Sequence, residues 1–220
     1  MIDSHCHLDH PAFDRDLDCV LGRARAAGVT TFVCAGWGPD RWPRQLELSR
    51  RHPEVHPAMG LHPWAVDEGW EAALESLPGL LGQAVAVGEI GLDALRGPRE
   101  LQERAFLAQL DLARDLGLPI ILHAVRCHEA VQARLKSPWR GVVHSFGGSA
   151  EQAAAYLRTG LCVSFSASIL RESKRSASAV RVVPDDRLLV ETDSPDQCPE
   201  PGRRNEPARL VEVVARVAEL

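Results

Sequence analysis

The six cysteines of this 220-residue chain (Cys6, Cys19, Cys34, Cys127, Cys162 and Cys198) include no C-x-x-C pair. That scatter argues against a structural zinc knot or a disulfide framework, and a free thiol inside a strand-like run packs as a small apolar group. Long apolar runs are also missing. None reaches the roughly 18 residues that a membrane span needs. The N-terminal Met1-Ile2-Asp3-Ser4-His5 lacks both the basic start and the apolar segment of a signal peptide. The expected setting is therefore the cytoplasm, with no membrane partner. Net positive charge is absent too. The formal charge is −5, which argues against a non-specific nucleic-acid coat but leaves room for an enzyme that meets nucleic acid at one locally positive spot. Two divalent cations would bring four positive charges to such a spot. No linker, low-complexity segment or repeat divides the chain, so residues 1–220 are expected to form one domain. The Pro/Gly/Arg-rich stretch 194–207 reads as a long loop.

What the chain does contain is alternation. Strand candidates fall at 1–4, 29–35, 54–60, 84–88, 119–122, 141–143, 160–165 and 187–191. Runs such as Ile120-Ile121-Leu122 and Leu188-Leu189-Val190 are apolar throughout, the pattern of strands covered on both faces of a parallel sheet. Helices are expected over 14–27, 40–52, 68–77, 127–136, 149–158, 172–183 and 206–219. The clearest helix follows Pro98, with Leu101, Ala105, Ala108, Leu112 and Leu116 forming its predicted apolar face and Gly117 and Pro119 closing it. Eight strands alternating with helices is the count of an α/β (β/α)8 TIM barrel. An open doubly wound sheet, with its usual five or six strands, ranks second.

Six metal-binding side chains fall at the ends of these strand candidates: His5, His7, Glu89, His123, His144 and Asp193. In His5-x-His7 the two residues are two apart on extended backbone, so both imidazoles can face one side. Glu89 directly follows five small or apolar residues and must be paired, bound to a cation or already in a loop. Asp93, four residues on, reads as a loop or cap residue. His123 and His144 close their apolar runs, and Asp193 precedes Ser194-Pro195, which biases the backbone away from helix. Each residue alone has a bland explanation. Together they occupy the carboxyl ends of strands, where (β/α)8 enzymes place their active sites. His10, His52, His56 and His128 do not share that placement. Carboxylates enclosed together cost several kcal/mol each if unpaired, against a total stability of about 5–15 kcal/mol, so bound metal is expected. The nitrogen and oxygen donor set suits zinc, manganese or magnesium.

The motifs Asp3-Ser-His-Cys-His-Leu-Asp9, Gly60-Leu-His-Pro63, Gly88-Glu-Ile-Gly-Leu-Asp93, His123 with Arg126, His144-Ser-Phe-Gly-Gly148 and Glu191-Thr-Asp-Ser-Pro195 resemble the TatD family of metal-dependent deoxyribonucleases, within the amidohydrolase superfamily. The resemblance runs from residue 3 to about Asn205. It implies a TIM barrel with two divalent metal ions (Mg2+, Mn2+ or Zn2+). His5, His7 and Asp193 would hold one ion, His123 and His144 the other, and Glu89 would bridge them. Superfamily relatives often bridge with a carboxylated lysine, but Lys136 and Lys174 are the only lysines here and neither ends the fourth strand. Two departures stand out. The family usually carries another helical segment after the stretch matching 206–220, so the barrel is expected to lack a final helical segment, either less completely covered or completed by a neighbouring chain. The loop after Asp93 is shorter and less aromatic than in many members, which bears on the substrate groove.

The activity expected is hydrolysis of a DNA phosphodiester by a metal-activated hydroxide. Asp193 would orient the water and take its proton, with Glu89 as the second catalytic carboxylate. His62, Arg126 and Lys174 are the candidate substrate contacts. Trp64 could stack on a base, although a buried barrel-rim aromatic is the preferred reading. A mouth narrowed by loops suits the end of a single strand, and the resemblance implies attack from the 3′ side. Two rivals stand beside this reading. One is an amide, lactone or aminoacyl-ester hydrolase on the same metals, favoured if Arg126 and Lys174 point away from the metals. The other is a truncated, non-catalytic metal-binding relative.

Overall fold

A computed structural model of the chain describes residues 1–136, 138–171 and 174–220. Eight strands, β1 (Ile2–Cys6), β2 (Thr31–Cys34), β3 (Val55–Met59), β4 (Ala86–Asp93), β5 (Ile120–Val125), β6 (Gly141–Val143), β7 (Cys162–Phe165) and β8 (Leu188–Val190), form one parallel sheet in chain order. The helices between them are α1 (Leu17–Ala26), α2 (Trp42–Arg51), α3 (Trp70–Ser76), α4 (Pro78–Leu81), α5 (Arg99–Leu116), α6 (His128–Gln132), α7 (Ala150–Arg158) and α8 (Lys174–Val180), with α9 (Leu210–Ala218) after β8. This is a (β/α)8 barrel, and each of its eight strands is followed by a helix. The short α4 was not foreseen, and α6 covers only part of the stretch expected at 127–136. Residues 172 and 173, at the start of the helix expected over 172–183, lie outside the described residues. No helix among the described residues is long and apolar enough to cross a membrane.

The ring closes between β1 and the segment after β8. The Asp193 N–H donates to the His5 carbonyl at 3.0 Å, and the His7 N–H donates to the Ser194 carbonyl at 2.7 Å. The buried Asp3 carboxylate reinforces this seam by accepting from the Thr192 N–H at 2.9 Å and the Thr192 hydroxyl at 2.5 Å. The seam therefore holds β1 and the β8 extension in register exactly where both supply site residues.

Strand periodicity sorts the side chains. Ala58, Ala86, Ile121 and Val142 pack together with Val33, Cys162 and Leu189, an apolar plug drawn from seven strands. Two residues further along their strands come His123 after Ile121 and His144 after Val142, on the same face and one layer higher. The larger core, including Phe32, Val87, Phe106, Tyr156 and Phe165, lies between sheet and helices.

The buried face of α5 differs from the expected one. Gln102, Ala105, Phe106, Gln109, Leu110 and Ala113 are buried, whereas Leu116 is 48% exposed. Two glutamines sit in that face because they satisfy loop backbone. Gln109 accepts from the Leu61 N–H at 2.6 Å and donates to the Leu61 carbonyl at 3.2 Å. Gln102 accepts from the Asp93 N–H at 2.9 Å and donates to the Arg96 carbonyl at 2.5 Å. Helix α5 thereby fixes the loops after β3 and β4.

Beneath Glu89 three backbones come together. A Cβ on Gly36 would lie 2.5 Å from the Gly60 nitrogen and 2.5 Å from the Gly88 oxygen. The Gly36 N–H donates to that same Gly88 oxygen at 3.0 Å. Any side chain here forces the ends of β2 to β4 apart. Gly36→Ala is expected to lower stability by about 1–3 kcal/mol, a typical cost of overpacking. Urea unfolding followed by circular dichroism measures it, and an unchanged midpoint would contradict the close approach.

Candidate metal centre

The six expected ligands converge. Glu89, 1% exposed and well inside β4, lies at the centre. Its Oε2 is 3.1 Å from His5 Nε2 and 3.6 Å from His7 Nε2. Its Oε1 is 2.5 Å from His123 Nδ1, 2.7 Å from His144 Nε2 and 3.2 Å from His62 Nε2. Asp193 Oδ1 completes the first side at 3.5 Å from His5 Nε2 and 3.6 Å from His7 Nε2. The two carboxylate oxygens of Glu89 thus face two different imidazole sets. His5 and His144, one from each set, stack with ring centroids 3.9 Å apart. The ligand atoms of His5, His7 and Asp193 lie within 4.8 Å of one another, as do those of His62, Glu89 and His123.

Tautomers follow from the surroundings. His144 Nδ1 is 3.3 Å from Glu191 Oε1, and His123 Nε2 is 3.2 Å from Asp93 Oδ2. Each carboxylate takes a ring N–H and leaves the other nitrogen, once deprotonated, to face a cation on the Glu89 side, the arrangement that fixes a metal-binding histidine. His62 is different. Its Nδ1 accepts from the Trp64 N–H at 3.0 Å, so a neutral ring carries its proton on Nε2, toward Glu89. His62 is therefore a hydrogen-bond donor to the centre. Glu89 Oε2 is buried without a hydrogen-bond partner, although two imidazoles lie close to it. A buried carboxylate oxygen left open beside nitrogen lone pairs fits a divalent cation.

The family model of the TatD related DNases matches residues 2–220. The chain belongs to this family. It is a metal-dependent hydrolase, as are relatives across the chain's full length. It is 33% identical to YabD of Bacillus subtilis, an uncharacterized metal-dependent hydrolase, over 100% of the chain and 91% of that protein. It is 36% identical to the 3′-5′ ssDNA/RNA exonuclease TatD of Enterobacter lignolyticus, over 99% of the chain and 90% of that protein. The crystal structure of the TatD homolog YjjV from Escherichia coli superposes with a TM-score of 0.92 at 34% identity, covering 100% of this chain and 89% of that one.

Charge in the TatD-type centre is strongly coupled. Burial would raise the Glu89 carboxyl, but the imidazoles of His144, His62 and His5 outweigh it and hold the group well below the usual carboxylate range. Asp193 is lowered in the same way, burial being outweighed by the bond to His7 and the charges of His144 and His5. Burial disfavours the charged form of His7, yet its bond to Asp193 and the charge of Glu89 raise it to about 9. His144 rises well above the ordinary histidine value as Glu89 and Glu191 overcome burial. His62 goes the other way, down to about 4, because burial wins.

The wall beside Asp193 is built from strained backbone and amide chemistry. Ser145, Asp193 and Gln197 all have left-handed backbone, with φ of 43°, 57° and 58°, a cost of about 1–3 kcal/mol each that clusters at functional sites. The Gln197 amide donates to Asp193 Oδ2 and, at 2.6 Å, to Ser145 Oγ, while its Oε1 accepts from the Ser166 hydroxyl at 2.6 Å. Flipping that amide would turn its oxygen against the carboxylate. Gln197 therefore holds Oδ2 aside and leaves Oδ1 toward His5 and His7.

The cleft above the centre, about 230 Å³, is lined by Trp37, His62, Trp64, Ser145, Asp196 and Gln197 among others. Arg126 and Lys174 are not among its lining residues. Arg126 is exposed just past β5 with φ 53°, and Lys174 is the exposed first residue of α8. Trp64 is not the buried rim aromatic preferred on sequence. It is 39% exposed and opens onto the cleft. Asp93 ends β4, buried against His123, and is not a loop residue. Sequence reasoning did not single out Glu191, Trp37 or Gln197. Glu191 carried a usable signal, since its spacing of two from Asp193 puts both on one side of extended backbone.

Two outcomes follow. His7 and His144 hold protons in the metal-free protein at pH 7.5, and a ligand nitrogen must lose its proton to bind metal. Loading is therefore expected to release more than one proton per protein, and apparent affinity should fall as pH drops below about 9. Calorimetry in buffers of different ionisation enthalpy counts the protons, and zero release would refute the assignment. Gln197→Leu removes the donor to Asp193 Oδ2 and is expected to weaken metal binding about 10–100-fold, measured by chelator competition.

Proposed function

We propose that the protein is a 3′-5′ exonuclease of single-stranded DNA that works with two divalent ions, one held by His5, His7 and Asp193 and the other by His123 and His144, with Glu89 shared between them. One observation carries this reading: the two oxygens of a single buried carboxylate face separate imidazole sets. The exonuclease activity named for TatD of Enterobacter lignolyticus, 36% identical over nearly the whole chain, supports the substrate class. All six cysteines are free, which suits a reducing cytoplasm.

Divalent ions in such a site polarise the phosphoryl group and supply hydroxide at neutral pH. The chain's own residues do the rest. Asp193 Oδ1 orients the attacking water and accepts its proton, while Gln197 keeps Oδ2 occupied. Glu191 and Asp93 fix the rings of His144 and His123. His62, neutral because burial lowers it, gives its Nε2–H to Glu89 Oε1 and presents its ring to the cleft that receives the substrate. Trp37 stacks on His62 at 4.6 Å and holds that ring in place.

A second reading, an amide or ester hydrolase on the same residues, draws support from the cleft lining, which contains no arginine or lysine among the described residues. Incubation with single-stranded DNA labelled at either end and with an aminoacyl ester, each with Mg2+, Mn2+ or Zn2+ or with EDTA, separates the two. A stepwise ladder from 5′-labelled DNA and early release of the 3′ label are expected, abolished by EDTA. Asp193→Asn and Glu89→Gln should lower the rate at least about 100-fold with the fold retained. DNA left intact while the ester is hydrolysed would favour the second reading, and full activity in Asp193→Asn would refute the role of that residue in both.

A further inference from the structure

The cations expected to hold phosphate, Arg126 and Lys174, do not line the cleft, but two other arginines pack on tryptophans that do. The Arg41 guanidinium carbon lies 4.5 Å from the centroid of the Trp37 ring, and that of Arg96 lies 3.8 Å from the Trp64 ring. Both tryptophans line the cleft. Trp37 also has His62 stacked on it at 4.6 Å with an 8° interplanar angle. Arg41 and His62 thus both pack on the Trp37 ring, and His62 in turn reaches Glu89. Trp64 stands edge-to-face with both Trp37 and His62, and its indole N–H is fixed by Asp93 Oδ2 at 2.6 Å. Each arginine thus lies on an aromatic platform that is itself anchored to a residue contacting the centre.

Neither guanidinium forms an ion pair among the described residues. Arg41 Nη1 is buried and has no hydrogen-bond partner, an unmet donor on an arginine that packs against a cleft-lining tryptophan. Asp9, Asp14 and Asp40 share a groove with Arg41, so its field is partly offset, whereas Arg96 belongs to the exposed loop between β4 and α5. Among the described residues, the opposite wall of the cleft is lined by no arginine or lysine. Ser145 and Gln197 are neutral, and Asp193 and the exposed Asp196 are acidic. The mouth is cationic and aromatic on the side of the loops after β2, β3 and β4, and neutral to acidic on the side of those after β6 and β8. The side that carries the stacked arginines is the more favourable path for a polyanionic strand.

We propose that Arg41 and Arg96 form a phosphate clamp, gripping the backbone phosphates next to the one being cut and leading the strand away over the loops after β2 to β4. This rests on the phosphodiester reading of the centre. Each guanidinium offers a planar fork to two non-bridging oxygens, and the ring beneath it holds that fork flat before the substrate arrives. The clamp binds the chain and does not touch the reacting atoms, so it separates long substrates from short ones.

The test pairs binding with cleavage. The unaltered metal-loaded protein, Arg41→Ala, Arg96→Ala and Arg96→Lys are titrated against a labelled single-stranded phosphorothioate 10-mer by fluorescence anisotropy at several salt concentrations. Arg96→Ala is expected to weaken binding about 5–10-fold at low salt and Arg41→Ala somewhat less. Each should reduce the slope of log K against log salt by about 0.7, the value for one phosphate contact on a single strand. Arg96→Lys should recover most of the slope, which a merely structural loss would not permit. Hydrolysis of bis(p-nitrophenyl) phosphate, too short to reach the clamp, is followed in parallel, and the alanine variants should lose far more of their kcat/KM on DNA than on this diester. Equal losses on both substrates, or affinities and slopes like those of the unaltered protein, would overturn the clamp. Cleavage of the diester by a protein that binds no oligonucleotide would overturn it while sparing the phosphodiesterase reading. Oligonucleotide binding that depends on both arginines, with no diester cleaved, would support the clamp and discard the hydrolytic reading instead.

Discussion

A carboxylate buried to 1% exposure among five imidazoles makes the demands that the rest of the barrel meets. Glu89 carries charge where water cannot reach it, at a cost of several kcal/mol unless partners gather round. No single strand can supply them. His5 and His7 come from β1 and its extension, His123 from β5, His144 from the end of β6, and Asp193 from beyond β8. Only a closed parallel sheet puts those strand ends around one axis. The β1–β8 seam, with Asp3 braced on Thr192, keeps the first and last of these contributors together.

The layers below and around the centre follow from the same need. A small apolar plug of alanine, valine and isoleucine fills the barrel beneath it, and three glycines let the ends of β2, β3 and β4 approach closely enough to bring Glu89 inward. Around it, Asp93, Glu191 and Gln197 each bind the far side of a site residue and set which atom faces the centre. Further out, Trp37 and Trp64 hold His62 on the inside and two arginines on the outside. Order therefore decreases from a fully buried carboxylate to cations at the rim, the gradient expected where chemistry lies deep and a long substrate enters from the surface.

Much of this was legible in residue order. The eight apolar runs became the eight strands, and the six metal-binding side chains picked out by their place at strand ends all meet at one mouth. That worked because a strand buried on both faces leaves an unbroken apolar signature, and a charged or imidazole residue closing such a run is conspicuous. Strands β1, β4 and β5 run further than expected at their carboxyl ends, so that His5, Glu89, His123 and Asp93 sit within them. An apolar run marks a strand only as far as its apolar residues go, and the barrel interior here continues the pairing through polar ones. Helix α5 shows the same bias: Gln102 and Gln109 occupy its buried face because they satisfy loop backbone, which hydrophobic periodicity cannot anticipate.

By itself the sequence determined the element order, the apolar pattern that makes a barrel, and the set of groups able to hold metal, because these depend on local periodicity and side-chain chemistry. Tertiary structure decided which atom of each group does what. The split of Glu89 between two imidazole sets, the tautomers set by Asp93 and Glu191, the hold of Gln197 on Asp193, and the stacking of Arg41 on Trp37 and Arg96 on Trp64 all arise from contacts that no local sequence pattern sets. Distances of a few ångströms between such residues are fixed by barrel closure and loop packing, and no local pattern encodes them.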